Sequence, residues 1–110
     1  MSAYSTGVTM PGAGVAREVI QERVRQEARW GEQNHPDGTG LYQQQAAAEN
    51  ARRVCDNNFR RGKGSWADIL REEFAEVLAE SDPARLREEL IQVAAVAIAW
   101  TEAIDRRGAS

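Results

Sequence analysis

SWADILREEFAEVLAESDPARLREELIQVAAVAIAW, residues 65–100, decides the fold of this chain. It holds two apolar-periodic segments around a short turn, Ser81-Asp82-Pro83. Ser65 is a good N-cap, and Asp68 three positions later completes a capping-box pattern. Trp66, Ile69, Leu70, Phe74, Val77 and Leu78 then form one apolar face. Asp82 caps the second segment, with Pro83 at the first helical position, where a backbone N–H has no partner to lose. Leu86, Leu90, Val93, Ala97, Trp100 and Ile104 make the second stripe, which runs to Arg107 before the terminating Gly108. The stretch predicts two helices folded back as an antiparallel hairpin.

Acidic side chains occupy positions in these helices that ordinary surface charge avoids. On a helical wheel Glu73 falls between Ile69 and Val77, inside the apolar stripe. Glu76 and Glu80 fall at the edge of that stripe, and Glu72 points further round, toward solvent. Glu89 falls among Val93, Val96 and Trp100, with Gln92 at the flank. Glu76 and Glu89 sit at mirror positions around the turn, each about 10 Å from it along its helix. Glu73 and Gln92 form a second mirrored pair about 14 Å away. Folding the hairpin brings the four side chains into a square with three carboxylates. Desolvating such a group unpaired costs several kcal/mol. A cation or basic partners must therefore balance it: Arg85 and Arg87 are candidate partners, and the oxygen-only donor set suits Mg²⁺.

Upstream, Ala16, Ile20, Val24 and Ala28 recur every fourth residue and predict a first helix over about Val15–Trp30. WGEQNHPDGTG, with one proline and three glycines in 11 residues, predicts a loop. A second helix is expected over about Leu41–Phe59 with Ala47, Ala51, Val54 and Cys55 inward, ended by RRGKG. Residues 1–13 are small, polar and glycine-bearing and read as a flexible N-terminal arm to a helical domain over 14–110. No strand pattern is found. The fold class is therefore all-α, an antiparallel bundle of about four helices.

At 110 residues the chain is one small domain, and a helical chain this short commonly gains stability from subunit packing. Leu90–Trp100 is apolar nearly all round, more than one helix contact can cover, so a homodimer or a dimer of dimers is expected. The same 11-residue run is too short to span a bilayer. A net charge of −3 argues against a nucleic-acid polymer as partner. Cys55 is the one cysteine, which excludes an intrachain disulfide and fits a reducing, cytoplasmic setting. No basic segment followed by an apolar one opens the chain, so no signal peptide is expected.

EEFAE followed by EELIQ resembles the all-α nucleoside triphosphate pyrophosphohydrolases, the MazG-like group. Their motif is ExxE, a spacer of a dozen or more residues, then ExxD. Glu73-Phe-Ala-Glu76 matches the first element and the 12 residues Val77–Glu88 the spacer. Glu89-Leu-Ile-Gln92 matches ExxD except at its last position. ERVRQEARWGEQNHPDG and LREELIQVAAVAIAWTEAID also resemble small phage and actinobacterial MazG-like proteins, so the likeness covers most of residues 17–107. The resemblance implies Mg²⁺- or Mn²⁺-dependent cleavage between the α and β phosphates of a nucleotide, releasing a monophosphate and pyrophosphate. It also implies Glu73, Glu76 and Glu89 as metal-binding catalytic residues, with Gln92 a weaker ligand or water-positioning group. Gln92 lacks the charge of the family's aspartate, which weakens the expected metal binding. A non-catalytic nucleotide-binding or oligomeric helical interaction protein on the same scaffold is the alternative. LREEF and LREEL also resemble part of a Nudix box, but that fold needs a sheet.

Four further residues are candidates for substrate contact. Trp30 reads either as a base-stacking surface or as a partly buried core tryptophan. His35, the one histidine, either contacts phosphate or orders the HPDG loop. Arg61 and Lys63, with Arg60, either steer a triphosphate or form a solvated charge run. Trp66 and Trp100 are expected in the core, and Cys55 is expected to be buried and inert.

Overall fold

The structure, a computed structural model, describes residues 10–108. Four helices follow one another: α1 (Ala13–Trp30), α2 (Tyr42–Arg60), α3 (Trp66–Ala79) and α4 (Pro83–Gly108). No strand occurs among the described residues, and no helix there is long and apolar enough to cross a membrane. Residues 1–9 of the expected arm lie outside the described residues; Met10–Gly12 already form a turn into α1. The described residues divide into two compact units, residues 36–100 and residues 10–35 with 101–108.

The first unit holds α2, α3 and α4 as far as Trp100. Helix α3 begins where its capping signal places it: Ser65 Oγ accepts from the Asp68 N–H, and Asp68 Oδ2 accepts from the Ser65 N–H at 3.1 Å. Asp68 does more than cap. It is buried and accepts 3.2 Å bonds from the Asn58 amide on α2, so one carboxylate ties two helices together. The Asn58 bonds, then those from Ser65 and the charge of Arg71, hold its carboxyl below the ordinary value of 3.8 against the opposing effect of burial. Small side chains let α2 approach α3 closely: Ala48, Ala51 and Cys55 are buried on α2, Val77 on α3 and Leu86 on α4. The Gly40 N–H donates to the Leu78 carbonyl at 2.9 Å, fastening the loop before α2 to the end of α3. Gly40 has φ +86°, and an added Cβ would meet Ser81 at 2.8 Å, so the close approach requires glycine twice over.

The α3–α4 hairpin is antiparallel. Asp82 Oδ2 accepts from the Arg85 N–H at 3.1 Å, capping α4 as its sequence predicts. At the far end Trp66 and Trp100 stack with centroids 6.5 Å apart and planes 8° from parallel. These tryptophans are themselves nearly equidistant from the turn, so their contact fixes the mirrored register.

Expectations about the apolar faces of all four helices need correction; on α4 the stripe residues Leu90 and Ile104 are 50% and 45% exposed. Ala48, not Ala47, is buried on α2, and Val54 is 40% exposed, because the face toward α3 follows positions 48, 51 and 55. Phe74 is 52% exposed and borders an apolar cavity of about 440 Å³ with Ala67, Leu70, Val93 and Trp100. In the second unit the stripe of α1 is not buried: Ile20 and Val24 are each 63% exposed, and Val15 is the buried residue of that helix. Residues every four apart drift about 40° per step around a 3.6-residue helix, so this stripe spirals off any single contact line. What anchors α1 is its start, where the Gly12 N–H donates to Glu102 Oε2 at 2.8 Å.

Candidate functional site

Helix α3 carries Glu73 and Glu76 on one face, three residues apart, and α4 carries Glu89 opposite them. All three are half-buried, and one carboxylate oxygen from each lies within 4.8 Å of the other two. The three carboxylates of the expected square are thus brought together within the first unit. Glu76 and Glu89 also line a small polar cavity of about 230 Å³ with Ala48, Arg52, Ala79 and Glu80. Glu80 thus brings a third carboxylate to its wall. Glu73 stands beside the cavity rather than in its lining.

Electrostatics marks the trio as strained in charge. Burial first, then the charges of Glu76, Glu89 and Glu72, pushes the Glu73 carboxyl above its ordinary value of 4.5. Glu89 is raised in the same direction by burial, by the charge of Glu76 and a hydrogen bond with it, and by Glu80 and Glu88. Three oxygens so placed can ligate one hard divalent cation, which would remove the repulsion that raises these groups.

The basic partner is one the sequence reading missed. Among the described residues neither Arg85 nor Arg87 pairs with the trio; Arg52 of α2 does, with Nη2 at 3.4 Å from Glu76 Oε1. A signal for it existed. Arg52 and Glu76 lie at roughly mirrored distances from the Arg61–Ser65 connection, the same symmetry that relates Glu76 to Glu89. Glu72 also differs from expectation. It is half-buried, and the Cys55 thiol is pushed up to about 11 by burial and then by Glu72. Cys55 is thus buried and protonated, as an inert core cysteine should be.

Gln92 is exposed on α4, one turn beyond Glu89. Arg61 and Lys63 are exposed in the connection before α3, and Glu76 lies about 16 Å further along that helix by its rise. Trp30 and His35 belong to the other unit. Trp30 is 57% exposed beneath the Arg29 guanidinium, 4.8 Å from its ring, so it is not a core tryptophan. His35 is exposed and its Nε2 lies 3.0 Å from Gln33 Oε1, a contact within its own loop.

No protein-family model, curated protein or solved structure matches the chain.

Proposed function

We propose that this chain is a divalent-cation-dependent nucleotide pyrophosphohydrolase, acting on a nucleoside triphosphate to release the monophosphate and pyrophosphate. The observation that carries the reading is the convergence of Glu73, Glu76 and Glu89 oxygens within 4.8 Å. The MazG-like resemblance of the same residues supports it and supplies the reaction class. The donor set fits the cofactor. Mg²⁺ takes oxygen ligands at about 2.0–2.1 Å, so the ligands of one ion lie within about 4.2 Å of each other. A small inward turn of the three side chains reaches that spacing, and Mn²⁺ has similar requirements.

Glu73, Glu76 and Glu89 would hold the ion, with the Gln92 amide oxygen as a weaker ligand or a hydrogen-bond acceptor that orients water. When bound, the cation neutralises phosphate oxygens and acidifies an attacking water. The chain's own task is positioning. The α3–α4 hairpin, whose register the Trp66–Trp100 stack marks, positions the carboxylates. Arg61 and Lys63 supply positive potential for a triphosphate, on chemical grounds. Trp30 and His35, in the other unit, are candidates for base and phosphate contact on the chemistry of their side chains alone. The exposed apolar side chains Phe74, Leu90 and Ile91 support assembly as a homodimer or dimer of dimers. Its single protonated cysteine is consistent with work in the cytoplasm.

Gln92 favours a second reading, a non-catalytic nucleotide-binding or interaction protein on the same scaffold, because it leaves the site one charge short of the family pattern. A panel of nucleoside and deoxynucleoside triphosphates separates the two. The enzyme reading expects Mg²⁺-dependent pyrophosphate release from at least one of them, lost in Glu73→Gln and Glu89→Gln. Nucleotide binding without turnover would select the second reading.

A further inference from the structure

Arg52 is the one basic group at a site built from acids. It reaches Glu76 from α2, and it lines the same polar cavity as Glu76, Glu80 and Glu89. Its contact is long, 3.4 Å, and its side chain is 54% exposed against 25% for Glu76. Among the described residues, Glu76 is the one hydrogen-bond acceptor of this guanidinium. This is a poor design for a structural ion pair, since an exposed pair at that distance contributes little to folding. It is a good design for a resident counter-ion. With Glu80 on the same wall, four carboxylates face this one guanidinium, which offsets only part of the negative charge an entering cation meets.

We propose that Arg52 is a positioning residue that acts as the built-in counter-ion of the carboxylate cluster. It holds Glu76 in place when no cation is bound and keeps the site's affinity for free cation low. A divalent ion entering the cluster meets the repulsion of the guanidinium. An ion arriving with phosphate attached brings anionic oxygens that the same guanidinium attracts, and its planar fork suits phosphate. Arg52 therefore biases the site toward the cation–phosphate complex over the bare ion. The inference rests on the cation-binding reading of Glu73, Glu76 and Glu89.

Calorimetric titration of the metal-free protein with Mn²⁺, alone and with inorganic tripolyphosphate present, tests it without turnover. A unit charge roughly 6 Å from a divalent ion, screened as by water, alters its affinity about tenfold. Arg52→Gln should therefore tighten binding of free Mn²⁺ about tenfold and weaken the gain that tripolyphosphate gives. Arg52→Lys, which keeps the charge, should stay within about threefold of the wild type for free Mn²⁺ by the same reasoning. A merely structural arginine would loosen the site when removed, so unchanged or weaker Mn²⁺ binding in Arg52→Gln overturns the inference. Arg52→Met is the second neutral variant if the glutamine form folds poorly. Absence of Mn²⁺ binding to the wild type would overturn the cation reading and this inference together. Wild-type binding with equal affinity in both neutral variants would overturn this inference alone.

Discussion

Glu73→Gln should change the stability of this protein in opposite directions with and without a divalent cation. One Glu73 oxygen lies within 4.8 Å of oxygens of both Glu76 and Glu89, and among the described residues Glu73 makes no ion pair. Two like charges at that distance repel by roughly 1 kcal/mol per pair at the dielectric of water. Neutralising Glu73 at about pH 8, where carboxylates are ionised, therefore removes two such pairs and stabilises the metal-free fold by about 1–2 kcal/mol. For a chain of this size that raises Tm by roughly 4–8 °C. In Mg²⁺ the order reverses. The wild type gains about 2.7 kcal/mol at a hundredfold excess over Kd, and the variant gains little. Circular dichroism melts in chelator and in millimolar Mg²⁺ read both effects. A variant less stable than the wild type in chelator, or an equal Mg²⁺ shift in both, would refute the reasoning.

Glu73 and Glu89 titrate above their ordinary value of 4.5 in the folded chain, so their contribution to stability is full below that value and is lost as pH rises through the raised pKa. Asp68 acts oppositely, its contribution being present above 3.8 and lost as pH falls below it. Metal-free melts should therefore show greatest stability in mild acid and a decline toward neutrality that Mg²⁺ abolishes; a flat profile with chelator would contradict this. Gln92→Asp should tighten Mg²⁺ binding and preserve or raise pyrophosphate release, and identical titrations for the two forms would remove Gln92 from the site. Cys55, buried with its thiol at about 11, should react with a thiol reagent only at the rate of unfolding, and prompt labelling of the native protein would contradict its placement.

The hairpin was legible because three local signals agree. Ser65 with Asp68 starts α3, Asp82-Pro83 starts α4, and the short turn between them forces antiparallel packing. That register alone placed Glu73, Glu76 and Glu89 together. Two things were less legible. The inward face of α2 is set by small residues, and alanine carries so weak a hydrophobic signal that Ala47 and Ala48 look alike until α3 is packed against them. The Arg52–Glu76 pair depends on the α2–α3 register, and a long flexible side chain gives no periodic trace of where it ends. Asp68 shows the same limit, since its capping role is local and readable while its bond to Asn58 is tertiary.

Diffraction from crystals soaked in Mn²⁺, collected for anomalous signal, tests the cation site most directly. The account predicts an anomalous peak bounded by Glu73 and Glu76 of α3 and Glu89 of α4, at ordinary Mn²⁺–oxygen distances. Peaks confined to other acidic groups, with the three carboxylates still apart and Glu76 still held by Arg52 alone, would contradict it.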